Sequence, residues 1–253
     1  NLRFPLPSDF SATLSGTLVE KVSRRAKFIL IHLNEGLVLL IHLGMSGRIV
    51  LFPDNVPPAG RHDHIDFITE KGVTIRFCDP RRFGFMDLIP TKDLIKHPMI
   101  RHLGPEPLTK AFNVAVLNET LRDRKIPIKN ALLDQRVVAG LGNIYACEAL
   151  YKAKISPKRL ARSIPGKRSE RLVPAIKEVL HAAINSGGSS LRDFTRTDGE
   201  LGYFQTQLSV YGREGKKCQA LYNKTSMIGF CGHTIKRIVQ SGRSTFYCSQ
   251  CQR

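Results

Sequence analysis

The chain has 253 residues, with 39 Lys+Arg against 21 Asp+Glu, for a formal charge of +18. That length is about two domains' worth, and 42% hydrophobic with 24% charged residues is a globular balance, not a disordered one. The longest purely apolar run, Leu37–Ile41, is too short to span a bilayer, and no segment has the basic amphipathic pattern of a membrane-surface helix. Such a charge excess points to a polyanionic partner, nucleic acid before membrane. It is uneven: net +3 over residues 1–100, +8 over 101–200 and +7 over 201–253, where a single acidic residue stands. Partner contact is therefore expected mainly in the C-terminal two thirds.

The first hundred residues read as short β-rich runs: Lys27–Leu33, Leu37–Leu43, Ser46–Leu51, Ile65–Thr69, Val73–Cys78 and Phe85–Leu88, several separated by Gly turns. Six such strands suggest an antiparallel sandwich or barrel. Pro98, Pro105 and Pro107 bracket a linker. The period then becomes helical, over Phe112–Asp123, Pro127–Gln135, Asn143–Lys152 and Ser169–Ser186. In the last of these Leu172, Ile176, Val179, Leu180 and Ala183 share one face, and Gly187-Gly188 supplies a stop. After Tyr203 the chain returns to strands and turns and holds four of the six cysteines. There is no internal repeat, low-complexity tract or secretory pattern.

Cys218, Cys231, Cys248 and Cys251 are spaced C-x12-C-x16-C-x2-C, and the Cys248–Cys251 knuckle can place two thiolates on one tetrahedral ion. Between the inner pair, Ile235–Gln240, Ser241-Gly242 and Arg243–Tyr247 read as a β-hairpin that returns Cys248 to Cys231, as a zinc ribbon needs. Two disulfides are the alternative, and they would leave Cys78 and Cys147 over as buried thiols. The 12-residue gap is longer than a tight knuckle allows, and His233 is a possible substitute for Cys218. The hairpin tip presents Arg243, either as a solvated turn residue or, with zinc stiffening the hairpin, as a phosphate contact.

Several segments occur together in a specific order: Arg24-Arg25-Ala26-Lys27, His42-Leu43-Gly44-Met45-Ser46-Gly47, His62-Asp63-His64-Ile65-Asp66, Asp79-Pro80-Arg81-Arg82-Phe83-Gly84, Leu103-Gly104-Pro105-Glu106-Pro107-Leu108, Gly142-Asn143-Ile144-Tyr145-Ala146, Val210-Tyr211-Gly212-Arg213 and Gly242-Arg243-Ser244-Thr245-Phe246-Tyr247-Cys248. This set, spanning the whole sequence, closely resembles the formamidopyrimidine-DNA glycosylases of bacteria. The resemblance implies an α+β multidomain fold: an N-terminal antiparallel β-sandwich over 1–97, a linker over 98–111, a helical DNA-binding domain with a helix–two-turn–helix motif over 112–208, and a C-terminal zinc-ribbon β-hairpin over 209–253. It implies a cytoplasmic, monomeric base-excision repair enzyme that removes 8-oxoguanine and formamidopyrimidines from double-stranded DNA. Strand cleavage by AP lyase β/δ-elimination would follow, with one structural Zn2+ held by Cys218, Cys231, Cys248 and Cys251.

Residue by residue, the resemblance makes Met45 and Phe83 wedges that fill the gap left by the extruded base, and Arg81 the residue facing the orphaned cytosine. By itself Met45 reads first as a core methionine at a strand end. Arg81 and Phe83 would share one side of an extended segment, with Arg82 pointing away. Lys27, Asn143 and Arg243 match a phosphate clamp around the flipped nucleotide, with Asn143 at a helix start suited to an anion. Lys27 and Arg243 also match proton donors of the elimination steps, although a guanidinium is a poor general acid and Arg243 is read first as a charge stabiliser. His62, Lys125 and Lys129 match further DNA or lesion contacts, and Gly188–Tyr203 the loop over the extruded purine. The related endonuclease VIII branch lacks the Met/Arg/Phe set, so purine specificity is expected.

Two departures from the family pattern stand out. The resemblance implies an N-terminal proline nucleophile followed by a glutamate acid, whereas the sequence starts Asn1-Leu2-Arg3-Phe4-Pro5, and internal Pro5 has no basic amine. A piece of a longer enzyme is expected, and the alternative is a damaged-DNA-binding protein without catalysis. In the finger, Gln219–Phe230 adds about ten residues to the first knuckle. Closing such a loop costs on the order of 1–2 kcal/mol against about 10–16 kcal/mol for a structural zinc site, so Cys218 is expected to ligate with the insert as an exposed loop.

Overall fold

A computed structural model describes residues 2–188, 204–224 and 227–253. Two compact units are formed, Asn1–Arg101 with Ser186–Gln205, and His102–Asn185 with Thr206–Arg253.

Among its described residues the first unit has a short helix α1 (Phe10–Leu14) and seven strands: β1 (Val19–Arg25), β2 (Phe28–Leu33), β3 (Leu37–His42), β4 (Arg48–Phe52), β5 (Asp63–Ile68), β6 (Thr74–Cys78) and β7 (Phe85–Pro90). They form two antiparallel sheets, ordered β1-β2-β3-β7 and β4-β6-β5. Side chains of both sheets, including Leu39 and Ile41 from β3, Met86 from β7 and Phe77 from β6, share one core with Phe10. This is the sandwich that the sequence pattern predicts. The six expected runs all form strands, and β1 is an addition. Its sequence, VEKVSRR, is mostly exposed along its length, because an edge strand can hold its place by ladder hydrogen bonds without an apolar face.

The second unit holds α2 (Val114–Leu121), α3 (Ile128–Leu133), α4 (Asn143–Lys152) and α5 (Lys167–Asn185), packed around Phe112, Leu117, Leu121, Ile128, Leu132, Leu141, Leu150, Leu172 and Ile176. The nine residues from Asp134 to Gly142 join α3 to α4. Asp134 accepts from Arg124 Nη1 at 2.8 Å and from Arg136 Nε at 2.9 Å; although burial works against the charge, these partners hold its carboxyl down at about 2. The Gln135 amide closes the second turn, accepting from Gly140 N–H and donating to the Leu133 and Leu141 carbonyls. The connection is thus fixed from within, and it sets the direction in which α4 starts.

The same unit carries two hairpins, β8 (Leu221–Lys224) with β9 (Met227–Phe230), and β10 (Lys236–Gln240) with β11 (Arg243–Tyr247). The β10–β11 turn is Ser241-Gly242, both with positive φ, as a two-residue primed turn requires. The segment expected as an exposed loop, Gln219–Phe230, instead contains the β8–β9 hairpin. Its pairing continues past the strands: Leu221 pairs with Phe230, Cys231 N–H donates to the Ala220 carbonyl, and Lys217 bridges Thr234, all in one unbroken register. The insertion therefore lengthens the knuckle as a ribbon without displacing its base. Its paired Leu221 and Phe230 are exposed, at 68% and 71%.

Candidate nucleic-acid interface

In the first unit the residues expected to touch DNA lie on two loops tied by one buried carboxylate. Asp79 is fully buried; its Oδ1 accepts from Ser46 Oγ at 2.7 Å and from Arg81 N–H at 3.3 Å, and its Oδ2 accepts from Gly84 N–H at 2.7 Å. Its own N–H donates to the His62 carbonyl at 2.9 Å. Gly44 has φ +69°, and a Cβ there would sit 2.6 Å from the Phe83 carbonyl carbon, so only glycine lets the Met45 turn approach this closely. The result exposes two large apolar side chains, Met45 at 64% and Phe83 at 45%. A core methionine is excluded by that exposure. The Arg81 guanidinium lies 5.1 Å from the Phe83 ring centroid, so the two do share a side. They do so through a turn and not through an extended segment: Arg82 N–H donates to the Asp79 carbonyl, and Arg82 has φ +57°.

His62 is exposed beside this cluster, and Lys27 is exposed in the two-residue Ala26-Lys27 turn between β1 and β2. His42, at the end of β3, supports the Met45 turn by accepting from Gly44 N–H at 3.1 Å, and its ring stacks on Phe85. Burial, then the charges of Lys27 and Arg3, hold the His42 imidazole below its ordinary pKa. The neutral form that can accept this bond is thereby favoured.

In the second unit, Asn143 is the first residue of α4, and the cap position is Gly142 with no side-chain cap. The Asn143 amide turns away from the helix end, donating to the Ser244 carbonyl at 2.9 Å and the Tyr211 hydroxyl at 3.3 Å. Gly142 brings no side chain to cap this helix end, and the helix dipole favours an anion there. Arg243 is exposed at the start of β11, next to Ser244, and the hairpin tip is held by Asn130 Nδ2 donating to Ser241 Oγ at 2.7 Å. Glu148, one turn along α4, accepts from the N–H groups of Ser209, Val210 and Tyr211 at 2.8–3.0 Å and so fixes the strand of chain that carries Tyr211.

Lys129 is fully buried, yet its Nζ has no hydrogen-bond partner among the described residues. Burial first, then the charge of Arg243, pushes its pKa down, while Cys147 works the other way. Asn143 Oδ1 and Asn130 Oδ1 are likewise buried and unpartnered. Lys125 is exposed in the turn before α3 and stands outside these hydrogen bonds. Of the expected purine loop, Gly188–Tyr203, residues 189–203 lie outside the described residues.

The cysteine Sγ atoms of Cys218, Cys231, Cys248 and Cys251 all lie within 4.8 Å of one another, with Cys218–Cys251 and Cys231–Cys248 at 3.8 Å. Four thiolates at about 2.3 Å from a tetrahedral Zn2+ are separated by about 3.8 Å, so this set fits one structural zinc. A disulfide needs about 2.05 Å, and all six cysteines are free. Cys218 takes its place in spite of the insertion, and His233, whose Nδ1 lies 3.1 Å from the Cys231 carbonyl, is not needed. Cys78 and Cys147 are buried, as expected.

Family models for the formamidopyrimidine-DNA glycosylase N-terminal domain and H2TH domain match residues 1–86 and 103–195, and the model for a zinc finger found in FPG and IleRS matches 231–253. The formamidopyrimidine-DNA glycosylase of Roseobacter denitrificans is 51% identical over 260 residues, covering 100% of this chain and 89% of the relative. The chain belongs to the formamidopyrimidine-DNA glycosylase family. A second glycosylase, from Rhodospirillum centenum, is 52% identical over 263 residues with the same coverage. Among solved structures, the MutM (Fpg) protein of Thermus thermophilus has a TM-score of 0.84 at 40% identity, covering 98% of this chain and 86% of that one. The Lactococcus lactis glycosylase in complex with abasic-site DNA has a TM-score of 0.85 at 33% identity, covering 96% and 86%. A further neighbour, at 33% identity and TM-score 0.84, is MutM in complex with DNA containing carbocyclic 8-oxo-G.

Sequence reasoning named the residues expected to contact DNA but missed the groups that hold them in place, Ser46, Asp79, Glu148 and Tyr211. Ser46, Asp79 and Tyr211 stood inside the quoted motifs, and a carboxylate followed by Pro, Arg and then Gly in a loop is the one signal that could have singled out Asp79.

Proposed function

We propose that the protein is a base-excision repair enzyme acting on duplex DNA, which excises oxidised purines such as 8-oxoguanine and formamidopyrimidines and then nicks the abasic strand. The observation that carries this reading is the Asp79-tied pair of loops, which holds Met45, Arg81 and Phe83 outward in a unit otherwise built around a closed apolar core. An enzyme that extrudes a base needs apolar tips to fill the stack and a donor for the base left behind; Met45 and Phe83 supply the first, Arg81 the second. Asn143 and Arg243 bind phosphate at the α4 start, and His62 and Lys125 add backbone contacts. Lys129 places its unpartnered ammonium toward a negative group of the nucleotide. Lys27 serves proton transfer in the elimination steps, while Arg243, always protonated, stabilises developing negative charge. The zinc, where bound, stiffens the finger that presents Arg243. A cytoplasmic site of action agrees with this reading, and no helix among the described residues is long and apolar enough to cross a membrane.

The test uses protein expressed from its complete gene and a labelled duplex with one 8-oxoguanine opposite cytosine. Base release and strand nicking are expected, with undamaged duplex left intact. Affinity should fall steeply with salt, because phosphate contacts release counterions. Met45→Ala and Arg81→Ala should lower excision more than they lower binding to undamaged DNA. Tight lesion binding without base release would favour the recognition-only reading instead.

A further inference from the structure

Helix α4 carries Asn143, Cys147 and Tyr151 at i, i+4 and i+8, on one face. That face meets the finger at every step. Asn143 donates to the Ser244 carbonyl, Cys147 packs in one cluster with Phe246 and Cys248, and Tyr151 Oη lies 3.2 Å from Cys218 Sγ. The helix rises about 12 Å between Asn143 and Tyr151, and the extended chain from Ser244 to Cys248 spans about 14 Å. The two elements run beside each other over matched lengths, with the zinc ligands at one end and the Arg243–Ser244 tip at the other.

Four cysteine thiolates on one Zn2+ carry a net charge of −2, and ligands of this kind need donors in the surrounding shell to hold their orientation and charge. A phenol is protonated at neutral pH and donates, whereas a zinc-bound thiolate accepts. We propose that Tyr151 is a positioning residue for the zinc: its phenol donates to the Cys218 thiolate and ties the metal site to the helix whose first residue anchors the finger tip. The Cys218 bond matters because this cysteine stands immediately before the insertion, at the base of the knuckle lengthened by β8 and β9. A ribbon hinged there has leverage on its ligand, and the hydrogen bond from α4 opposes it. The metal half of this inference stands on the ligand geometry; its consequence for DNA rests on the role given above to Asn143 and Arg243.

The experiment is Tyr151→Phe in the full chain, which keeps the ring and removes one hydroxyl. Transfer of zinc to a chromogenic chelator is expected to be about tenfold faster than in wild type, the lower end of the effect of losing a second-layer partner. In the Co2+-substituted protein, the sulfur-to-cobalt charge-transfer band should shift, a signature that loosened packing alone does not produce. Duplex affinity under chelator should decay in step with metal loss. Unchanged transfer rate and unchanged cobalt spectrum would overturn the proposal. Should the variant fail to fold, the wild-type protein loaded with cadmium-113 gives the second measurement. A slowly exchanging Tyr151 hydroxyl proton coupled to the metal is expected, and its absence counts against the bond. The cobalt and cadmium readouts do not involve DNA, so they stay informative if the repair function is wrong.

Discussion

Lys129 gives the sharpest separation between what this chain needs to fold and what it needs to act. A buried, unpartnered amine destabilises a folded protein by about 1–3 kcal/mol, and more when charged. Lys129→Met keeps the length and the apolar stem and removes the charge, so the variant should be more stable than wild type by about 1–3 kcal/mol. In a chain of this size each kcal/mol raises Tm by roughly 2–4 °C. Affinity for lesion-containing duplex should move the other way: a hydrogen bond between an ammonium and an anionic acceptor is worth about 1.5–3 kcal/mol, or roughly ten- to a hundredfold in Kd.

The pH dependence follows from the same residue. Its pKa is lowered in the folded state by burial and then by Arg243, so between that lowered value and 10.5 the unfolded chain binds more protons. Wild-type stability attributable to Lys129 therefore rises with pH across this window. The advantage of Lys129→Met should shrink as the amine neutralises, and wild-type duplex affinity should fall over the same range. Urea unfolding of the zinc-loaded proteins, followed by circular dichroism because the chain has no tryptophan, gives the stability difference. Fluorescence anisotropy with an 8-oxoguanine duplex gives the affinity. A variant less stable than wild type at pH 7 with unchanged affinity would refute the reasoning, since the amine would then have a structural partner.

Asp79→Asn sets an amide N–H against the N–H of either Gly84 or Arg81, and it should cost about 1–3 kcal/mol of stability while lowering excision of 8-oxoguanine more than binding to undamaged duplex; equal losses in both would show that Asp79 does not position Arg81 and Phe83. His42 has its pKa held below 6.5 by burial, then by Lys27 and Arg3, so its contribution to stability is full above 6.5 and is lost as pH falls toward the folded value. A His42→Gln variant should lose that acid-side slope in thermal melts between pH 7 and 5, and an unchanged slope would place the titration elsewhere. Cys251→Ser should abolish stoichiometric zinc by elemental analysis and weaken duplex binding at least tenfold; retained metal would count against the four-thiolate site.

Strand and helix positions were largely legible because burial writes a period into the sequence. Leu37–Leu43 reads as a strand and contains β3; Leu172, Ile176 and Ala183 read as one face and are buried in α5. Strand β1 was illegible for the converse reason: an exposed edge strand needs no apolar alternation. The insertion was misjudged because loop closure says what a segment costs and not what it becomes. Its two halves pair in the register that Lys217 and Thr234 already set. The exposed candidate residues were named by resemblance alone, since an exposed Met45 or Arg81 looks like any surface side chain until its supports are seen.

Those supports share one chemistry. In a chain of +18 charge carboxylates are scarce, and surface ion pairs would be the expected use of them. Two of the buried ones do something else. Asp79 accepts the N–H groups of Arg81 and Gly84, and Glu148 those of Ser209, Val210 and Tyr211. Charge-assisted bonds to backbone are stronger than exposed ion pairs, which contribute about 0–1 kcal/mol. They also order loops without neutralising the cations those loops carry. Arg81 and Arg243 remain exposed while the backbone that presents them or their neighbours is held. A protein that must meet a polyanion with its cations already in place is served by this division: negative charge is turned inward onto the backbone, and positive charge is left outward for the phosphates.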